Sequence, residues 1–61
     1  MSVCEFKVFL SGEQVFSDVI YAEEKTGRVL LRTVLGEEKV LENCRITEVD
    51  VEKEILRLEK T

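Results

Sequence analysis

Histidine, proline and tryptophan are absent from this 61-residue chain, and cysteine occurs only twice. Without histidine, the chain lacks the side chain that most often serves as a general base near neutral pH and as a metal ligand. This absence excludes His-containing catalytic dyads and triads and the His-bearing zinc motifs. The sequence also offers no nucleophile–base pair and no phosphate-binding glycine loop, so we predict that the protein is not an enzyme.

The length indicates a single domain that spans residues 1–61. A domain of this size buries only about 60% of the surface that its unfolded chain exposes, so its stability alone is expected to be marginal. Small chains usually gain the missing stability from disulfides, a metal or association with a second copy. Because two cysteines provide at most one intrachain bridge, the sequence favours a homodimer.

The charge is acidic, with thirteen Asp and Glu residues against nine Lys and Arg residues and a formal net charge of -4. Nucleic-acid binding draws much of its affinity from neutralised phosphates, and the basic residues here are scattered rather than clustered. The composition therefore argues against a nucleic-acid partner.

Long hydrophobic runs are also missing: no apolar stretch approaches the roughly 20 residues that are needed to span a bilayer. The first residues do not show the positive start and long apolar run of a signal peptide. We therefore expect no membrane association and a cytoplasmic location, where thiols are normally reduced.

Short apolar runs separated by turn-like residues predict a small all-β domain. Asp18 interrupts the second run, which indicates a bulge, and the fourth run is expected to break near Glu42-Asn43. The last run fits helical spacing almost as well, but two branched arms around a polar turn favour a strand. Five short strands predict a strongly bent barrel, which removes exposed edges. The expected strands are residues 4–10, residues 14–23, RVLLRTVL, EKVLENCRITEV and the region of Ile55, Leu56 and Leu58.

The segment MSVCEFKVFL places a cysteine just where the first strand is expected to begin. Cys4 could be a small core residue, half of a disulfide, or a metal ligand close to the chain's amine. Cys44 lies inside a β region, and we interpret it as a packed thiol. A bridge between Cys4 and Cys44 is disfavoured by a reducing compartment. Phe9 is expected to face away from Phe6 and Val8, on the outside of the barrel, where it could contribute to a dimer interface.

Three segments in their order and spacing carry a resemblance to a known family: an early cysteine that leads the strand CEFKVFL, the turn LGEEK and the run ITEVD. From Cys4 to about Glu59, the chain resembles the CooT family of small nickel-binding accessory proteins, which are linked to maturation of carbon monoxide dehydrogenase. The resemblance implies a small Sm- or SH3-like β-barrel that forms a homodimer. It also implies that Ni(II) is bound through the N-terminal cysteine of each subunit, and only Cys4 matches that motif.

Members of the family typically begin Met-Cys, whereas Ser2 and Val3 precede the cysteine here. If Met1 is removed, the start Ser2-Val3-Cys4 offers an amine, two backbone amides and a thiolate in succession. Such a set suits square-planar Ni(II) or Cu(II) better than tetrahedral zinc. If Met1 is retained, a pair of Cys4 thiolates shared by two subunits is the expected site instead.

These inferences predict a nickel-binding accessory protein without enzymatic activity, in which the thiolate of Cys4 captures or hands over Ni(II). The expected partners are a second copy and a nickel enzyme or its maturation factors. Two alternatives remain: a small β-barrel that binds nucleic acid, and one that binds protein through an exposed strand edge without any metal.

Overall fold

The structure is a computed structural model that describes residues 4–61, and these residues form six β-strands. The all-β prediction is confirmed. Each strand corresponds to an apolar run in the sequence, and the turns between them fall at Gly or at polar residues. The strands are β1 (Phe6–Leu10), β2 (Glu13–Lys25), β3 (Arg28–Thr33), β4 (Glu38–Glu42), β5 (Cys44–Asp50) and β6 (Ile55–Lys60).

The six strands form one sheet in the order β4-β3-β2-β1-β6-β5. Strand β1 lies in its middle, antiparallel to β2 and parallel to β6. The 13-residue strand β2 pairs with two neighbours: its first half pairs with β1, and its second half pairs with β3. The change occurs at the predicted bulge, where Asp18 has a φ of 59° and β2 places one more residue than β1 between the pairs Phe6↔Val19 and Val8↔Phe16.

The predicted five-stranded barrel is not confirmed. The expected fourth strand is divided at Asn43, whose φ of 55° turns the backbone into the left-handed region, so β4 and β5 are separate strands. This break lies where the sequence indicated it. Within residues 4–61, β4 and β5 form the two edges of the sheet and are not paired with each other, so the sheet is curved but not closed.

A small apolar core lies on the concave side of this sheet. It draws side chains from five strands, and residues of β1, β2, β4 and β5 pack against it from the periphery. Alternation along β3 shows why these residues are buried: Val29, Leu31 and Thr33 point inwards while the residues between them are more exposed. The buried apolar residues are Val8, Val19, Val29, Leu31, Cys44, Leu56 and Leu58.

The final segment is a strand, as predicted. A turn over residues 51–54 reverses the chain, and β6 then pairs with β5 on one side and with β1 on the other. Residues 4–61 contain no helix of the length and apolarity that crossing a lipid bilayer requires.

Candidate metal site near the start of strand β1

Cys4 is an exposed, free thiol that lies two residues before β1. Two hydrogen bonds to Glu54 hold the backbone that follows it. The Lys7 N–H donates to the Glu54 carbonyl oxygen at 2.9 Å, and the Glu5 N–H donates to the Glu54 carboxylate at 3.3 Å. Cys4 is therefore joined to a central strand while its side chain remains accessible to solvent.

Cys44 is also a free thiol, but unlike Cys4 it is fully buried in the core. Its Sγ lies 3.4 Å from the carbonyl oxygen of Leu41, to which it donates. Burial raises the pKa of the Cys44 thiol. A hydrogen bond with the backbone of Val29 acts in the opposite direction and lowers this pKa, whereas the nearby carboxylates of Glu24 and Glu42 raise it further. The interpretation of Cys44 as a packed thiol is confirmed, and Cys4 and Cys44 form no disulfide in the structure.

The two remaining residues of the expected ligand set, Ser2 and Val3, lie outside the described residues. In the described part of the chain, no group of three or more His, Cys, Asp or Glu side chains is arranged to hold a metal ion. The structure thus provides one soft donor, the Cys4 sulfur, without a surrounding side-chain cluster. A four-coordinate ion at Cys4 needs further donors, from backbone nitrogen near the chain's start or from a second copy of the chain.

Phe9 lies on the outward side of β1, since it is not part of the core to which Phe6, Val8 and Leu10 contribute. Its side chain is half-buried, and the Arg57 guanidinium lies 5.5 Å from the ring centroid. The same guanidinium pairs with Glu48 at 2.9 Å. Phe9 therefore belongs to a small outer-face cluster of an aromatic ring and an ion pair.

Sequence reasoning missed an apolar groove at the far end of β2, next to the start of β1. Its lining includes Phe6 and Ile20 on one side and Ile46 and Val49 on the other. The sequence contained a signal for this groove, because Ile20 and Tyr21 follow Val19 without the alternation that a half-buried strand requires.

The fold and the site define a small all-β protein whose one exposed thiol adjoins its central strand. The family model of the CO dehydrogenase accessory protein CooT matches residues 3–59, and the chain belongs to this family. The resemblance inferred from the sequence is thereby confirmed. Membership implies an accessory role toward CO dehydrogenase, in a family that is not a catalytic one. No curated protein matches this chain.

Proposed function

We propose that this protein binds Ni(II) through the thiolate of Cys4 and holds it as cargo for the assembly of CO dehydrogenase. The contrast between the two thiols is the observation that supports this role. The thiolate is the form of cysteine that binds metals, and a raised pKa keeps the buried Cys44 protonated, whereas Cys4 is exposed. Cys4 is thus the accessible soft donor of the described chain.

Two arrangements complete the coordination of an ion at Cys4. In the first, the amine of Ser2 and the backbone nitrogens of Val3 and Cys4 join the thiolate in one plane after removal of Met1. In the second, two Cys4 thiolates meet across a homodimer. The first provides N and S donors and the second provides two thiolate S donors, and both sets suit Ni(II). Both require deprotonation, so the affinity should weaken as the pH falls.

We further propose that the working species is a homodimer. A chain of 61 residues needs additional buried surface when its described part forms a sheet with two unpaired edges and a core of seven buried apolar residues. Phe9 supports an interface on the outward side of β1, since a half-buried aromatic ring beside an ion pair is typical of a contact surface. An interface there would lie on the strand that follows Cys4.

The test is a Ni(II) titration of untagged, reduced protein whose N-terminal mass has been measured. Thiolate-to-metal charge-transfer absorbance should appear on addition of Ni(II), and native mass spectrometry gives the number of ions per dimer. Cys4→Ser should abolish both signals. Cys44→Ala is the matched control, because it removes the other thiol and should leave the absorbance and the stoichiometry unchanged. Equal binding by Cys4→Ser and the unmodified protein would rule out this function.

The nucleic-acid alternative finds little support in the surface. Stacking of bases needs uncovered aromatic faces in a basic groove. Here the Arg32 guanidinium lies 4.7 Å from the Tyr21 ring centroid, and the Lys39 ammonium lies 5.3 Å from that of Phe16. A charged side chain therefore lies over one face of each of these rings, and the net charge is acidic.

A further inference from the structure

A gap separates the second half of β2 from β5. Pairing of β2 with β1 ends at Val19, opposite Phe6, and beyond this point β2 pairs with β3 alone. On the other side, β5 pairs with β6 and, among the described strands, with no other. Two strand edges thus face each other without a strand between them, and an open groove of about 230 Å³ lies in the gap.

The lining of the groove is apolar and unusually exposed. Ile20, Tyr21 and Val49 retain 45%, 41% and 57% of their accessible surface, and the register of β2 against β3 shifts between Val19 and Tyr21. Isolated exposed apolar residues are common on proteins, but a contiguous set that surrounds a groove marks a contact site. Besides the buried core residues Val19 and Leu56, the groove is lined by Phe6, Ile20, Tyr21, Ala22, Ile46 and Val49.

Two hydrogen bonds fix one end of the gap. The Ile46 N–H donates to the Glu24 carboxylate at 2.7 Å, and the Cys44 N–H donates to the Gly27 carbonyl oxygen at 3.0 Å. They hold β5 beside the β2–β3 hairpin and leave the other end open. The groove is therefore built into the fold rather than formed by a loop.

Three carboxylates do not line this groove but contact its lining residues or the backbone next to one of them. Glu23 accepts from the Tyr21 hydroxyl at 3.4 Å, Glu24 accepts from Ile46, and Glu54 accepts from the backbone next to Phe6. Among residues 4–61, none of these three carboxylates is in an ion pair. The Arg32 guanidinium lies 4.7 Å from the Tyr21 ring centroid, and its charge is compensated by Glu38 at 2.8 Å.

We propose that the gap between β2 and β5 accepts an extended segment of a partner protein that carries apolar side chains flanked by Lys or Arg. Strand edges recognise such segments by main-chain hydrogen bonds, and side-chain grooves between them add specificity. The uncompensated carboxylates select basic flanks. This surface goes beyond nickel binding, because the Cys4 side chain does not line the groove.

A second copy of this chain fits the groove less well. The second copy would bring the same three carboxylates near the groove and a net charge of -4. The partner is therefore a different protein with a basic segment.

The experiment uses two synthetic peptides with the same apolar centre, Val-Thr-Val-Ile-Val, flanked by two lysines or by two glutamates at each end. Each is titrated into isotopically labelled full-length protein, and backbone amide shifts are followed by NMR. The lysine-flanked peptide should shift the amides of Ile20–Ala22 and Ile46–Val49 and bind at least about fivefold more tightly. This preference should shrink at high salt, because exposed charges are screened.

Val49→Glu should weaken binding of the lysine-flanked peptide about tenfold, since it places a charge in the apolar groove. Val40→Glu is the matched control, because Val40 is also an exposed valine on an edge strand and does not line this groove. Ile20→Thr, a milder change on the opposite wall, should also weaken binding and covers the case in which Val49→Glu does not fold. Cys4→Ser should bind the peptide normally.

Absence of amide shifts, equal affinity for the two peptides, or an equal loss in Val49→Glu and Val40→Glu would each overturn the proposal. Conversion of a dimer to a monomer by Val49→Glu, measured by sedimentation, would also overturn it, because the groove would then be occupied by a second copy. Ni(II) binding is measured separately, so failure here leaves the nickel proposal intact.

Discussion

The Glu24 carboxylate accepts a hydrogen bond of 2.7 Å from the backbone N–H of Ile46, although β2 and β5 are not neighbours in the sheet. At this point a side-chain hydrogen bond joins the two strands in place of backbone pairing. It satisfies one donor on the free edge of β5 and holds that edge strand against the hairpin.

Removal of this contact should loosen β5. We expect Glu24→Ala to lower the free energy of unfolding by about 1 kcal/mol, the usual net contribution of one hydrogen bond, since the carboxylate is exposed. Glu24→Gln should retain part of it, because an amide oxygen still accepts. Glu23→Ala is the matched control and should leave stability nearly unchanged. Urea unfolding measures the stability, and faster hydrogen exchange at Ile46 in Glu24→Ala would locate the effect; equal exchange in both alanine variants would contradict it.

The buried thiol of Cys44 makes the free energy of unfolding depend on pH in the alkaline range. Since burial raises the pKa of Cys44 above its ordinary value of 9.0, the unfolded state loses this proton first as the pH increases. The contribution of the neutral thiol is full below the unfolded pKa and is lost as the pH rises towards the folded one. We expect the urea midpoint to fall once the pH rises above about 9, the ordinary pKa of the thiol, and to fall less steeply in Cys44→Ala.

The readout is the slope of the urea midpoint against pH rather than the stability at any one pH. Cys44→Ala also leaves a small cavity, which lowers the stability at every pH. Cys4→Ala serves as the control and should follow the slope of the unmodified protein. If Cys44→Ala and the unmodified protein show the same slope, the buried thiol does not account for the alkaline loss.

The two modes of nickel coordination respond differently to one extra residue. A glycine added before Ser2, with the N-terminal mass verified, moves the amine out of the chelate ring but leaves Cys4 in place. A loss of Ni(II) affinity of at least about tenfold is expected if the amine is a ligand. Unchanged affinity, with one ion per dimer in the native mass, would instead place the metal between two Cys4 thiolates.

Phe9 tests the proposed homodimer. Phe9→Glu should dissociate the dimer, because it replaces an apolar contact with a charge. The fold should survive, since the new carboxylate lies beside Arg57, the cation that now covers the ring. Phe9→Leu retains an apolar side chain and should remain dimeric. Sedimentation velocity gives the species present, and a dimer that persists in Phe9→Glu would exclude an interface at this residue.

Local patterns in the sequence were sufficient to predict where most strands lie. Alternation of Phe6, Val8 and Leu10 predicted β1, and the polar interruptions at Asp18 and Asn43 predicted the bulge and the break that the structure contains. Such features depend on neighbouring residues only. The sequence therefore supported the all-β class and the position of most turns.

Relationships between distant residues were not accessible in this way. The parallel pairing of Val8 with Leu56 and the contact of Glu24 with Ile46 join strands that are far apart in the chain. For the candidate site, the sequence singled out Cys4 and predicted a packed Cys44, but the apolar groove required the curvature of the sheet.

The central position of β1 has a consequence for biosynthesis. Among the six described strands, this one is synthesised before the others, and one of its two neighbours, β6, is synthesised after them. Until β6 has been translated, β1 can pair only with β2, and before residue 54 is reached the backbone next to Cys4 has no Glu54 to bind. Completion of the sheet therefore awaits synthesis of β6, and a product that terminates before β6 cannot present the thiol beside a fully paired β1.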